Sequence, residues 1–282
     1  MRLVEEELSG AVQGILFTPS QHHELGVLVL HGSSGKPDTE RASLFAQLGV
    51  PALALRWFGG PAQSPGICEI PLEHFSAAID LLLDKGCKRI ALVGTSKGAE
   101  AALLLAVHDP RVSAVIATSP TSVIWSNVGV GLDGSGWPLR SSWTRAAQPL
   151  PFVALDPYWK PETRDGLIAY RSWHLQSLTR FAAEAVDAAI PIERSTADIL
   201  LVAGADDALW PSDIFARALA ERAALAGKSV DVEIHPDAGH RTLFPGETKP
   251  RSALHAHGGT DEADRELGAR AWAKALRLLG LG

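Results

Sequence analysis

Residues 89–100 read RIALVGTSKGAE, and the reading of this stretch decides the fold. RIALV is a short continuous aliphatic run, the pattern of a strand buried on both faces. The Ala/Leu-rich residues 97–107 read as a helix. Between them stands Gly94-Thr95-Ser96-Lys97-Gly98. A glycine on each side of the serine permits a strained strand-to-helix turn that exposes the hydroxyl. The five-residue pattern is weak on its own, and the strand before it and the helix behind it strengthen it.

Outward from this turn, short β-branched runs alternate with longer helical ones. That alternation predicts a mainly parallel sheet with helices on both faces. Residues 2–8 and 11–18 read as an N-terminal hairpin. GVLVL at 26–30, Val50 to Trp57, Val112 to Thr118, Asp198 to Ala203 and Val230 to His235 read as further strands. Helices are expected at 71–85, about 211–226 and 261–280. Residues 124–197 break the rhythm with interleaved glycines and prolines, and hold Trp125, Trp137, Trp143, Trp159 and Trp173. A long irregular segment within a domain of this kind reads as a lid-like insertion, so the expectation is one domain over 1–282 with a cap at about 124–197. The alternative for each tryptophan is packing within the insertion's own small core.

A serine hydroxyl needs a general base to become a nucleophile. The partners appear in the chain order serine, acid, base. The strand at 198–203 runs into GADDALWPS at 204–212, and Asp207 is preferred to Asp206 because of the Gly-x-x-Asp spacing. The last strand runs into Pro236-Asp237-Ala238-Gly239-His240, which makes His240 the base candidate. An oxyanion also needs donors. The backbone N–H of Lys97 is one, and the loop His31-Gly32-Ser33-Ser34-Gly35 supplies the other, with Ser33 favoured over Ser34. The Lys97 side chain reads as a surface charge. His22 and His23 read as a surface turn, and His255-x-His257 as solvated or tail-packing residues without a metal cluster.

Bulk properties exclude other classes. The net charge is −6 and the pI about 5.9, which argues against a nucleic-acid binder. Cys68 and Cys87 have neither zinc-site nor redox-pair spacing and read as two buried free thiols. Met1 to Gly10 carries three consecutive glutamates and reads as neither a signal nor a transit peptide. No stretch is long and apolar enough to span a bilayer. The cytoplasm is the expected compartment, and no metal or organic cofactor is expected. A homodimer is left open.

HGSSG at 31–35, PLEHFSAAIDLLL at 71–83, GTSKGAE at 94–100, GADDALWPS at 204–212, DAGHRTLFP at 237–245 and HAHGGTDEADRELGARAWAKAL at 255–276 together resemble the C-terminal catalytic domain of acyl-CoA thioesterases and bile-acid-CoA:amino-acid N-acyltransferases. The resemblance implies an α/β-hydrolase fold, dienelactone-hydrolase-like, and an acyl ester or thioester as small-molecule substrate. It implies that Ser96 takes the acyl group, His240 activates it, Asp207 orients His240, and the Ser33 and Lys97 amides hold the oxyanion. Members that pass the acyl group to amino acids have cysteine at the turn, so Ser96 favours hydrolysis. Better-known members carry a β-sandwich domain ahead of this unit, a role the 2–18 hairpin does not fill. The alternatives are a carboxylesterase, an acyltransferase to an amine or alcohol acceptor, and a non-catalytic relative. The last usually lacks a triad member.

Overall fold

The computed structural model describes residues 2–20 and 23–282; Met1, Gln21 and His22 lie outside them. Eight strands form the main sheet: β1 (Leu3–Ser9), β2 (Gln13–Pro19), β3 (Leu25–Leu30), β4 (Ala52–Arg56), β5 (Arg89–Thr95), β6 (Val112–Thr118), β7 (Asp198–Gly204) and β8 (Asp231–His235). Their spatial order is β1-β2-β4-β3-β5-β6-β7-β8. β1 and β2 form an antiparallel hairpin, β2 runs antiparallel to β4, and every other pairing is parallel. The register sets Leu30 opposite Gly94, Thr95 opposite Thr118, and Gly204 opposite His235. The loops after β3, β5, β6, β7 and β8 therefore leave one edge of the sheet together, the edge at which parallel α/β sheets place their sites.

Side chains alternate across a strand, and the two faces bury separate cores. Leu28, Leu30, Leu53, Leu55 and Leu92 point to one face, under the helices Glu73–Asp84 (α2), Lys97–His108 (α3) and Ser212–Leu225 (α6). Val27, Val29, Ala52, Ala54 and Val93 point to the other, under Thr39–Gln47 (α1) and Asp261–Leu279 (α7). The elements expected from the sequence are present with ends shifted by a few residues. The exception is α1, which sequence periodicity did not reveal. Asp38 caps it by accepting the Arg41 N–H, and it buries Arg41 in line with Ala42, Phe45 and Ala46. A buried arginine interrupts the apolar stripe by which such a helix is recognised.

Between β6 and β7 the chain leaves the sheet. It forms a small hairpin (Glu162–Arg164 with Leu167–Ala169) and two helices, Arg171–Arg180 (α4) and Ala182–Asp187 (α5). This segment does not fold around a core wholly its own. Residues Trp143–Arg145 pair in parallel with Ile70–Pro71 of the body. Trp143 is fully buried and packs 5.3 Å from Trp57 and 6.1 Å from Phe75. No helix among the described residues is long and apolar enough to cross a membrane.

Candidate active site

Ser96 stands between β5 and α3 with φ +57°, a backbone conformation that costs a non-glycine residue of order 1–3 kcal/mol and persists only where its surroundings impose it. The two flanking glycines are what make room. A Cβ on Gly94 would lie 2.3 Å from the Gly98 carbonyl oxygen, and one on Gly98 would lie 2.3 Å from that of Leu30. The Ser96 N–H donates to the Thr118 carbonyl, which ties the turn to β6. The serine faces a cavity of about 490 Å³, whose wall also includes Ser33, Lys97 and His240.

His240 Nδ1 lies 2.8 Å from Asp207 Oδ2. A carboxylate accepts, so Nδ1 carries the proton and Nε2 keeps the lone pair of a base. Asp207 is fully buried and saturated with donors. Its Oδ1 accepts the backbone N–H groups of Leu209 (2.8 Å) and Trp210 (3.2 Å), and its Oδ2 accepts the Ser212 hydroxyl (2.7 Å). Asp206 turns outward instead. It binds both terminal nitrogens of Arg164 at 2.7 and 2.6 Å and accepts the Gly259 N–H. No hydrogen bond joins Ser96 Oγ to His240 among the described residues, although both line the same cavity.

Two supports escaped the sequence reading. The first is Arg41. Its guanidinium grips Glu247 at 2.7 and 2.8 Å, and also donates to the Thr95 hydroxyl (2.8 Å) and the Thr242 carbonyl (2.8 Å). It therefore joins the residue before Ser96 to the loop that carries His240. Burial alone would raise the Glu247 carboxyl, but Arg41, with Lys249 beside it, pulls its pKa down to about 2. The second is the strap at 255–259. The His257 carbonyl accepts both the His240 N–H (2.8 Å) and the Ala208 N–H (3.3 Å). Gly258 permits this close pass with φ +68°; a Cβ there would lie 1.8 Å from the Asp206 carbonyl oxygen. His255 and His257 are half-buried, which fits the packing role of the two readings given for them. His255 lines the cavity, and burial beside His240 holds the His257 pKa down to about 4.

Lys97 corrects an expectation, because its side chain is not a surface charge. Its ammonium is buried, 2.6 Å from Glu100 and 2.8 Å from the Ser142 hydroxyl. Burial lowers its pKa, against the pull of Glu100. Glu100 also accepts the Trp143 indole N–H (2.7 Å) and the Trp125 backbone N–H (3.1 Å). The helix that follows Ser96 is thus fastened to the 124–197 segment by the hydrogen bonds that its own buried Lys97–Glu100 pair makes with Ser142, Trp143 and Trp125. Of that segment's tryptophans, Trp125, Trp137, Trp159 and Trp173 line the cavity. Trp159 and Trp173 stack at 5.0 Å with 13° between their planes. Cys68 and Cys87 are free and buried. No cluster of three or more His, Cys, Asp or Glu able to hold a metal occurs among the described residues.

Comparison with known proteins places this geometry in context. Residues 70–279 match the family described as "BAAT / Acyl-CoA thioester hydrolase C terminal". Acyl-coenzyme A thioesterase 6 of Mus musculus is 27% identical over 259 residues, covering 87% of this chain and 55% of that protein. Its Homo sapiens counterpart is 26% identical over 277 residues, covering 94% and 62%. The chain thus spans a little over half the length of these curated relatives. Among solved structures, a Pyrococcus furiosus esterase superposes with a TM-score of 0.55 at 14% identity, over 100% of this chain and 93% of that one. At that identity the likeness establishes the α/β-hydrolase fold and nothing finer.

Proposed function

This chain belongs to the BAAT / acyl-CoA thioester hydrolase C-terminal family, and we propose that it is a serine hydrolase cleaving an acyl-CoA-like thioester or a carboxylic ester through an acyl-Ser96 intermediate. One observation carries the reading. A serine held at φ +57° faces the same cavity as a histidine whose Nδ1 is 2.8 Å from a buried, donor-saturated aspartate.

In this mechanism His240 Nε2 takes the Ser96 proton as Oγ attacks the acyl carbon. Asp207 holds the ring in the correct tautomer and stabilises the imidazolium that forms. The backbone N–H groups of Ser33 and Lys97 receive the oxyanion. Protonated His240 then gives its proton to the departing thiolate or alkoxide. Water, deprotonated by His240, attacks the acyl-Ser96 carbonyl and regenerates the serine. Residues 124–197 act as a cap that roofs the acyl group and excludes bulk water. The oxygen nucleophile at position 96, where the resemblance implies cysteine in acyl-transferring members, favours water as acceptor. The cytoplasm is the proposed compartment.

The test is a paired assay of wild type and Ser96→Ala with acyl-CoAs, followed by release of free thiol, beside p-nitrophenyl esters of matched chain length. The expected result is wild-type turnover that Ser96→Ala abolishes. Turnover of esters alone would keep the triad and move the substrate class to carboxylic esters. Turnover that survives in Ser96→Ala would overturn the mechanism.

A further inference from the structure

The cavity wall is aromatic, and its polarity is unevenly placed. The indole N–H groups of Trp125, Trp137, Trp159, Trp173 and Trp210 all donate back into the protein. Their acceptors are the Thr121 hydroxyl, the Asn127 carbonyl, the Ser172 hydroxyl, the Asp156 carbonyl and the Ser119 carbonyl. What these side chains turn toward the cavity is carbon. No Asp, Glu or Arg lines it among the described residues, and the Lys97 ammonium is already held by Glu100 and Ser142. A ligand group received here is therefore uncharged and largely apolar.

His174, on α4, is the exception in this wall. Its ring meets Trp125 edge-on at 4.7 Å and Trp210 at 5.7 Å. Its Nδ1 lies 2.9 Å from the Tyr170 carbonyl oxygen. A carbonyl only accepts, so Nδ1 carries a proton. Burial holds the ring's pKa down to about 4, so at neutral pH it has that one proton and no charge. Nε2 is then a bare lone pair. It has no protein partner among the described residues, nor is it sealed from the cavity as Nδ1 of His255 is from any partner. The Ser126 and Tyr170 hydroxyls, also in the wall, can turn to donate or accept; His174 Nε2 can only accept. The protein itself supplies no donor to this acceptor, and a ligand that brings one gains a hydrogen bond in a water-poor, indole-lined setting.

We infer that His174 Nε2 is a specificity element that selects an acyl group bearing a hydroxyl, phenol or amide N–H on an otherwise apolar frame. The inference rests on the reading of the cavity as an acyl pocket, and deepens it. A purely hydrocarbon acyl group would fill the same space but leave the lone pair facing carbon.

The test uses binding, so that it does not depend on turnover. Ser96→Ala is titrated with N-acetylcysteamine thioesters of 3-phenylpropanoate, unsubstituted or with ring hydroxyls at the ortho, meta or para position, and with the matching methoxy compounds. Quenching of tryptophan fluorescence reports occupancy, because the cavity is lined by indoles. At least one hydroxy isomer is expected to bind about tenfold tighter than the unsubstituted thioester, the worth of one enclosed neutral hydrogen bond, while its methoxy counterpart does not. With His174→Phe or His174→Leu added, the ratio falls to about one; with His174→Gln, which restores an acceptor, part of it returns. Ratios are read within one variant, so a general loss of affinity cancels. Failure of the whole series to bind, equal affinity across it, or an advantage that survives both His174→Phe and His174→Leu overturns the assignment. A hydroxyl preference that holds while the wild type hydrolyses no ester or thioester would sink the proposed reaction alone.

Discussion

The floor and the roof of the cavity are built on opposite principles. The floor, where Ser96, Asp207 and His240 sit, is fixed by backbone geometry and buried charge. Asp207 accepts four hydrogen bonds, and Arg41 and Glu247 clamp the turn to the histidine loop. The 124–197 side presents indole faces whose N–H groups are tied off, leaving the His174 nitrogen and the Ser126 and Tyr170 hydroxyls as its open polar groups. A reaction needs positions held to fractions of an ångström, which directional bonds provide. Binding a variable apolar group needs area, which indole rings provide. The two halves should therefore fail differently: damage to the floor lowers kcat or stability, and damage to the roof raises KM.

The largest expected effect falls on the floor. Asp207→Asn leaves a hydrogen-bonding shape but sets the wrong histidine tautomer, and should lower kcat by on the order of 10⁴-fold. Asp206→Asn, one position away and turned toward Arg164, should change kcat less than about threefold. Steady-state kinetics on the best ester or thioester decides; equal losses in the two variants would mean that the acid is misassigned.

Next comes the clamp. Glu247→Gln leaves Arg41 charged and buried without its partner, and should cost about 3–5 kcal/mol of stability in denaturant unfolding. A cost under about 1 kcal/mol would show that the pair is dispensable. The same carboxylate sets a pH dependence. Its folded pKa, about 2, lies below its ordinary 4.5, so its contribution is fully present above about pH 4.5 and is lost as pH falls from there toward 2. Melting curves from pH 6 to pH 2 should fall less steeply for Glu247→Gln than for wild type across that window.

The smallest effect belongs to the roof. Trp159→Ala removes one ring of a stacked pair and should raise KM about tenfold with kcat changed less than about threefold. A kcat loss larger than the KM rise would break the division between floor and roof.

The sequence disclosed elements in which side-chain pattern and backbone role coincide. Continuous aliphatic runs mark β3, β5 and β7 because both faces of those strands are covered. Gly94 and Gly98 mark the turn because a Cβ there has no room. What stayed hidden depends on partners remote in the chain. Arg41 shows no role in the sequence until Glu247, 206 positions away, meets it. Lys97 looks solvated until Glu100 and Ser142 close over it. His174 carries no motif, since its role comes from the indoles around it. The His257 carbonyl is the extreme case, because a main-chain acceptor leaves no trace in residue identity beyond the glycines that let it approach.

That carbonyl has a consequence for how the protein is made. The loop of Asp207 and the loop of His240 both donate to one peptide carbonyl of the 255–259 strap. A nascent chain can therefore contain Ser96, Asp207 and His240, and even pair every strand of its sheet, while the strap is still inside the ribosome. Until residues 255–259 emerge and close against the two loops, the His240 N–H and the Ala208 N–H lack the acceptor that they share. Synthesis order thus places this shared anchor later in the chain than both loops that it holds.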